Sequence, residues 1–171
     1  MNLITTYVKI AEINGFKIAD CAGFGDNIED KVFLQSYRDN ESVLKSMAPI
    51  NAIVMVVKFN NTDALSFKNT AYEFWKIFGN RSIGSIVLLC IQAGDIIYSD
   101  DDFRGILTNS EGYKFLKSKN GNKHIPHVLW DNFREYPNQA ALLINATREV
   151  PYYHSQDIDN LFDRIDYLIT Q

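Results

Sequence analysis

Asp20-Cys21-Ala22-Gly23-Phe24-Gly25-Asp26 is the stretch on which the reading of the fold turns. A strand-like run precedes it and a helix-like run follows, so an acid and several small residues fall where a parallel strand would end. Such a turn suits phosphate and metal. An aspartate can hold Mg²⁺ through water, and a glycine lets a backbone N–H approach a terminal phosphate with no Cβ in the way. D-x-x-G alone also describes an ordinary strand-to-loop turn, so its neighbours decide.

Towards the N-terminus, Tyr7 to Ile13 alternates, and Asn14-Gly15 supplies a two-residue turn into Phe16-Lys17-Ile18-Ala19. That pattern predicts an antiparallel hairpin. Towards the C-terminus, Glu29 to Met47 carries apolar residues at helical spacing, broken near Asp39-Asn40 and ended by Pro49. Ala52 to Phe59 and Ile86 to Ile91 are continuous apolar runs rich in β-branched residues, as expected of strands buried on both faces of a parallel sheet. Between them, Asn60 to Asp63 can cap a helix whose stripe is Phe67, Ala71, Phe74, Trp75 and Phe78, with Gly79 at its end. This aromatic stripe reads as core.

Asp100, Asp101 and Asp102 read as a solvated helix N-terminus rather than a metal site, leading to a short helix near Glu111 to Lys117 and a polar loop from Ser118 to Lys123. His127 to Trp130 is a last short strand, and a helix runs from Asn138 to about Val150, where Pro151 stops it. The final helix sets Ile158, Leu161, Phe162, Ile165, Leu168 and Ile169 in one stripe, with Asp157 or Ser155 as its cap. A hairpin followed by β-α alternation gives the expected fold: one α/β domain over residues 1–171, with helices on both faces of a mostly parallel sheet.

The totals fit that class. At 171 residues, 46% hydrophobic and 22% charged, the chain can bury a core. A net charge of -4 with scattered lysines and arginines argues against general binding to nucleic acid or membrane surfaces. Cys21 and Cys90 lie in or beside strand-like segments, with no ligand spacing to the three histidines. Reduced thiols and a cytoplasmic location are the expectation. No secretory signal is evident, and the longest apolar run is too short to span a bilayer.

In a parallel sheet, ligands gather at the carboxyl ends of the strands, and three such ends carry Asp20, Asp95 and Asn132. A carboxylate such as Asp95 can accept both the ring N–H and the exocyclic amine of guanine, an edge that adenine lacks.

With those residues in order, the chain resembles a known group. Asp20 to Asp26 resembles the D-T-P-G-F-G-D element of septin-related GTPases. Asn51 to Phe59, Leu89 to Asp95, Trp130-Asp131-Asn132 and Tyr136-Pro137-Asn138-Gln139 resemble its immunity-associated (avirulence-induced-gene, GIMAP-like) branch. Gln92-Ala93-Gly94-Asp95 departs from the family's T-x-x-D guanine motif at its first residue, Cys21 from its threonine and Ala22 from its proline. The resemblance implies a three-layer G domain that binds GTP or GDP with Mg²⁺. In it Asp20 and Gly23 would sense the γ-phosphate and metal, Thr5 or Thr6 would supply the switch hydroxyl to Mg²⁺, Asp95 would select guanine, and Gln92 and Asn132 would line the base pocket. It also implies dimers with like or related GTPases.

Phe24 stands where Ras-type proteins carry the glutamine that orients water, so slow hydrolysis is expected, and no residue is assigned a catalytic role. The chain has no G-x-x-x-x-G-K-[ST], whose backbone N–H groups and lysine hold the phosphates. Gly79 to Ser85 lacks the lysine and lies between a helix and a strand, the reverse of the required order. The resemblance therefore implies a partial G domain without its first strand, phosphate loop and first helix, truncated at its N-terminus. Nucleotide binding and GTPase activity by this chain alone are then doubtful. The alternative is an inactive interaction module, or a gene fragment, that keeps the surface of the fold.

Overall fold

In chain order the elements are β1 Lys9–Ile13, β2 Phe16–Asp20, α1 Lys31–Asp39, α2 Glu41–Ser46, β3 Ile53–Phe59, α3 Ala64–Ile83, β4 Ile86–Gln92, α4 Asp100–Asn109, α5 Glu111–Lys119, β5 His127–Trp130, α6 Tyr136–Thr147 and α7 Ser155–Ile169. The computed structural model describes residues 8–13, 15–21, 31–59, 64–92, 99–131 and 136–171. The chain is α/β, with contacts gathered into two units: Met1–Ile50 with His154–Gln171, and Asn51–Tyr153.

In the first unit, Gly15 takes φ +81°, the left-handed geometry that a tight hairpin turn demands, and β1 pairs antiparallel with β2 from Lys9↔Asp20 to Ile13↔Phe16. The predicted helix does break at Asp39-Asn40: Asn40 hydrogen-bonds back to the Tyr37 carbonyl, and α2 restarts at Glu41. α7 packs on α1 and α2. Its buried residues are Ile158, Leu161, Phe162 and Ile165, with Leu168 and Ile169 half-buried. Arg38 bridges to Glu41 and, at 2.8 Å, to Asp166, while Lys45 bridges to Asp159 at 2.9 Å. The cap of α7 is His154 rather than Asp157 or Ser155: Ser155 is the first helical residue, and Asp157, at the third position, completes a capping box by accepting the His154 N–H at 2.8 Å.

In the second unit β3, β4 and β5 form a parallel sheet in that order. The β3–β4 register runs unbroken from Ile53↔Ile86 to Phe59↔Gln92, and β5 joins from Leu88↔His127 to Ile91↔Trp130. Strand alternation puts Met55, Val57, Leu88 and Cys90 on one face, all buried. On the other face Val87 and Val128 pack against Ala146 of α6 and Val150, with Leu89 and Leu143 at the margin.

The expectation that β3 is buried on both faces is corrected here. α6 contacts β5 and β4, so Val54 and Val56, which share its side of the sheet, remain 40% and 56% exposed. α3 does leave helical geometry at its predicted end, Gly79 (φ 77, ψ 177), and a separate helical turn follows to Ile83. The helix N-terminus read at Asp100 to Asp102 opens α4, which runs to Asn109. Ser99 caps it by accepting the Asp102 N–H, so the three aspartates do lie in a helix's first turn. α5 packs closely on α3 because residue 112 is glycine; a Cβ there would run into the Phe67 ring.

Candidate functional site

The sequence motifs for the base pocket begin at one edge of the parallel sheet. Ile91 pairs with Trp130, so Gln92, the last residue of β4, and Asp131, the first beyond β5, leave the sheet side by side. Asp95 and Asn132 follow them in sequence but lie outside the described residues, as do Gly23, Thr5 and Thr6; for Gln92 only the strand position is described.

Asp131 is buried, and its backbone is held from both sides by the buried side chain of Gln139 in α6. The Asp131 N–H donates to Gln139 Oε1 at 2.6 Å, and Gln139 Nε2 donates to the Asp131 carbonyl at 3.0 Å. One amide side chain thus imitates a strand rung and fixes where β5 stops. Gln139 was read only as part of a motif. No sequence signal sets it apart from Asn138, the amide that precedes it in the same helical turn.

Asp20 ends β2 with an exposed side chain. Beside it, burial pushes the Cys21 thiol up to about 11, and the Asp20 charge adds to the effect. The sulfur also donates weakly to the Ala19 carbonyl at 3.8 Å. Burial raises the buried Tyr37 phenol too, with Cys21 and Asp20 contributing. A thiol held protonated at neutral pH is a poor nucleophile. Cys21 and Cys90 are both free, and burial drives Cys90 to about 12.

At the opposite edge of the second unit's sheet, an open cleft of about 510 Å³ is lined by residues including Arg81, Gly84, Lys123, His124 and Glu149. The rejected Gly79 to Ser85 segment contributes to it and has a structural role. Arg81 Nη1 donates to Ser85 Oγ at 2.8 Å and Nη2 to the Tyr152 carbonyl at 2.6 Å, while Ser85 Oγ donates to the Pro151 carbonyl at 2.8 Å. These bonds latch the chain after α6 to the start of β4.

Near the start of β5, the Ile125 N–H donates to the Tyr113 hydroxyl at 3.2 Å, and that hydroxyl meets His124 Nδ1 at 3.0 Å. His127 Nδ1 lies 2.9 Å from the Ile125 carbonyl, which can only accept, so this nitrogen carries the proton.

Among the described residues no three His, Cys, Asp or Glu side chains converge to hold a metal ion, and no helix is long and apolar enough to cross a membrane. No protein-family model matches the chain, and no curated protein matches it with significance.

Proposed function

We propose that this chain is a guanine-nucleotide-binding domain of the septin-related, immunity-associated GTPase type, whose 171 residues bind GTP weakly or not at all for want of a phosphate loop. The observation that carries the reading is the common sheet edge from which the Gln92 and Asp131 segments leave neighbouring parallel strands. Ligand sites of open α/β sheets lie at that edge, and the residues next in sequence are the guanine-selecting Asp95 and the base-pocket Asn132. Asp20, Gly23 and a threonine, Thr5 or Thr6, would serve Mg²⁺ and the γ-phosphate. Without backbone N–H groups and a lysine to neutralise the β and γ charges, the base contacts alone supply little affinity.

Nuclear magnetic resonance titration of the isolated chain tests this. Millimolar GDP should perturb the Gln92 and Asp95 amides while ADP should not, and Asp95→Ala should abolish the response. Equal perturbation by both nucleotides would sink the guanine reading. Calorimetry giving sub-micromolar GTP affinity would instead overturn the claim of weak binding.

A second reading has its own support. The exposed valines of β3 are what an inactive interaction module would use to bind protein partners.

A further inference from the structure

Among the described residues β3 is an outer strand of its sheet, seven residues long and free of bulges along β4. Its Ile53 N–H donates to the Ser85 carbonyl at 2.8 Å, which sets the direction of every backbone group that follows. Ile53, Met55, Val57 and Phe59 turn their N–H and C=O groups towards β4. Val54, Val56 and Lys58 turn theirs to the edge away from β4, where no described strand pairs with them. Soluble proteins usually blunt such an edge with proline, a bulge or several charges. β3 has one lysine, at its far end, and the Val54 and Val56 side chains are exposed.

We propose that two copies of this chain pair antiparallel through β3, joining two three-stranded sheets into one. The inference gives the interaction reading a partner and does not depend on nucleotide. An edge strand is its own complement about a two-fold axis, and Val56 is the midpoint of Ile53–Phe59. With the axis through Val56, Val56 faces Val56 of the second copy, Val54 faces its Lys58, and Lys58 faces its Val54. Each pair exchanges two backbone hydrogen bonds, and every outward group of the three residues is satisfied. The same register keeps like charges apart: the two Lys58 residues sit four positions out of step, roughly 13 Å along the strands, beyond the Debye length of about 8 Å at physiological salt. An axis through Lys58 would set the two ammonium groups against each other. The four valines fall on one face as a continuous apolar stripe. A strand pair is a small interface, so the dimer dissociates on the order of micromolar concentrations.

Sedimentation velocity over a concentration series, with three variants, tests the pairing. Val56→Pro removes an N–H that points away from β4, so the native ladder survives while the central intermolecular bond is lost. Val56→Lys sets two like charges on the axis. Leu142→Lys alters an exposed apolar residue of α6 that is 57% accessible and off the edge. The expected result is a concentration-dependent wild-type dimer, association at least tenfold weaker in both Val56 variants with melting temperature maintained, and a Leu142→Lys dimer like wild type. A wild-type chain that stays monomeric overturns the proposal. So does equal loss in all three variants, which would mark general apolar association. A dimer untouched at Val56 overturns it too, while leaving the interaction reading standing.

Discussion

The least legible residue of the candidate site is the one whose geometry is best defined. Gln139 lies eight positions beyond Asp131, and no spacing rule links a helix's first turns to the backbone of the strand before it. The acids and amides around it were legible as types: a carboxylate for guanine, an aspartate for a metal-bound water. Their convergence was an expectation drawn from where parallel strands end, and it rests on Asp95 and Asn132, which lie outside the described residues. Gln139→Leu keeps volume but leaves the buried Asp131 N–H and C=O without the amide, at a cost of about 2 kcal/mol or more. Gln139→Glu separates donor from acceptor. Its ionised carboxylate can accept the Asp131 N–H but repels the carbonyl, so this variant should gain stability relative to wild type as pH falls and the acid becomes a donor. Urea denaturation of both variants across pH is the measurement. A Gln139→Leu chain as stable as wild type would show that the two bonds contribute nothing.

Elements were legible where one physical signal dominated. The hairpin followed from Asn14-Gly15, β5 from a short apolar strand bounded by polar loops, and α7 from six apolar residues at helical spacing. The failures share a cause. β3 and β4 have almost the same apolar composition, yet among the described residues only β4 of the two has a strand on each side, and whether an outer strand's second face is covered depends on how far a distant helix reaches. At Gly79 the sequence showed a helix stop, and the chain does leave helical geometry there, but Ile83, fully buried, draws another turn against the core. The backbone of Gly79 lies in a region that essentially only glycine enters. A Cβ there would meet nothing within 4 Å, so the cost of Gly79→Ala is conformational rather than steric. Chemical denaturation should show a loss of about 1–3 kcal/mol; an unchanged midpoint would mean that the break relaxes into continuous helix.

For the whole molecule, the order of strand-like and helix-like runs indicated the α/β class and composition a chain able to bury a core, but neither gave a sign of where stability would depend on pH. His127 supplies one source. Its ring stands edge-on to Tyr113 and Phe103, both centroids 6.0 Å away. Burial lowers its pKa below the ordinary 6.5; the Ile125 carbonyl and Glu149 pull it back up, and His124 and Arg104 push it further down. The unfolded chain therefore binds a proton more readily than the folded one. The His127 contribution is complete above pH 6.5 and is lost as pH falls from there through the depressed folded value. His127→Phe keeps an aromatic ring between Tyr113 and Phe103 but removes the titration, so its stability should fall less steeply than that of wild type between about pH 6.5 and pH 5. Melting temperatures of the two proteins across that range test this. Parallel slopes would assign the acid sensitivity to other groups, and a steeper slope in His127→Phe would reverse the sign derived from burial.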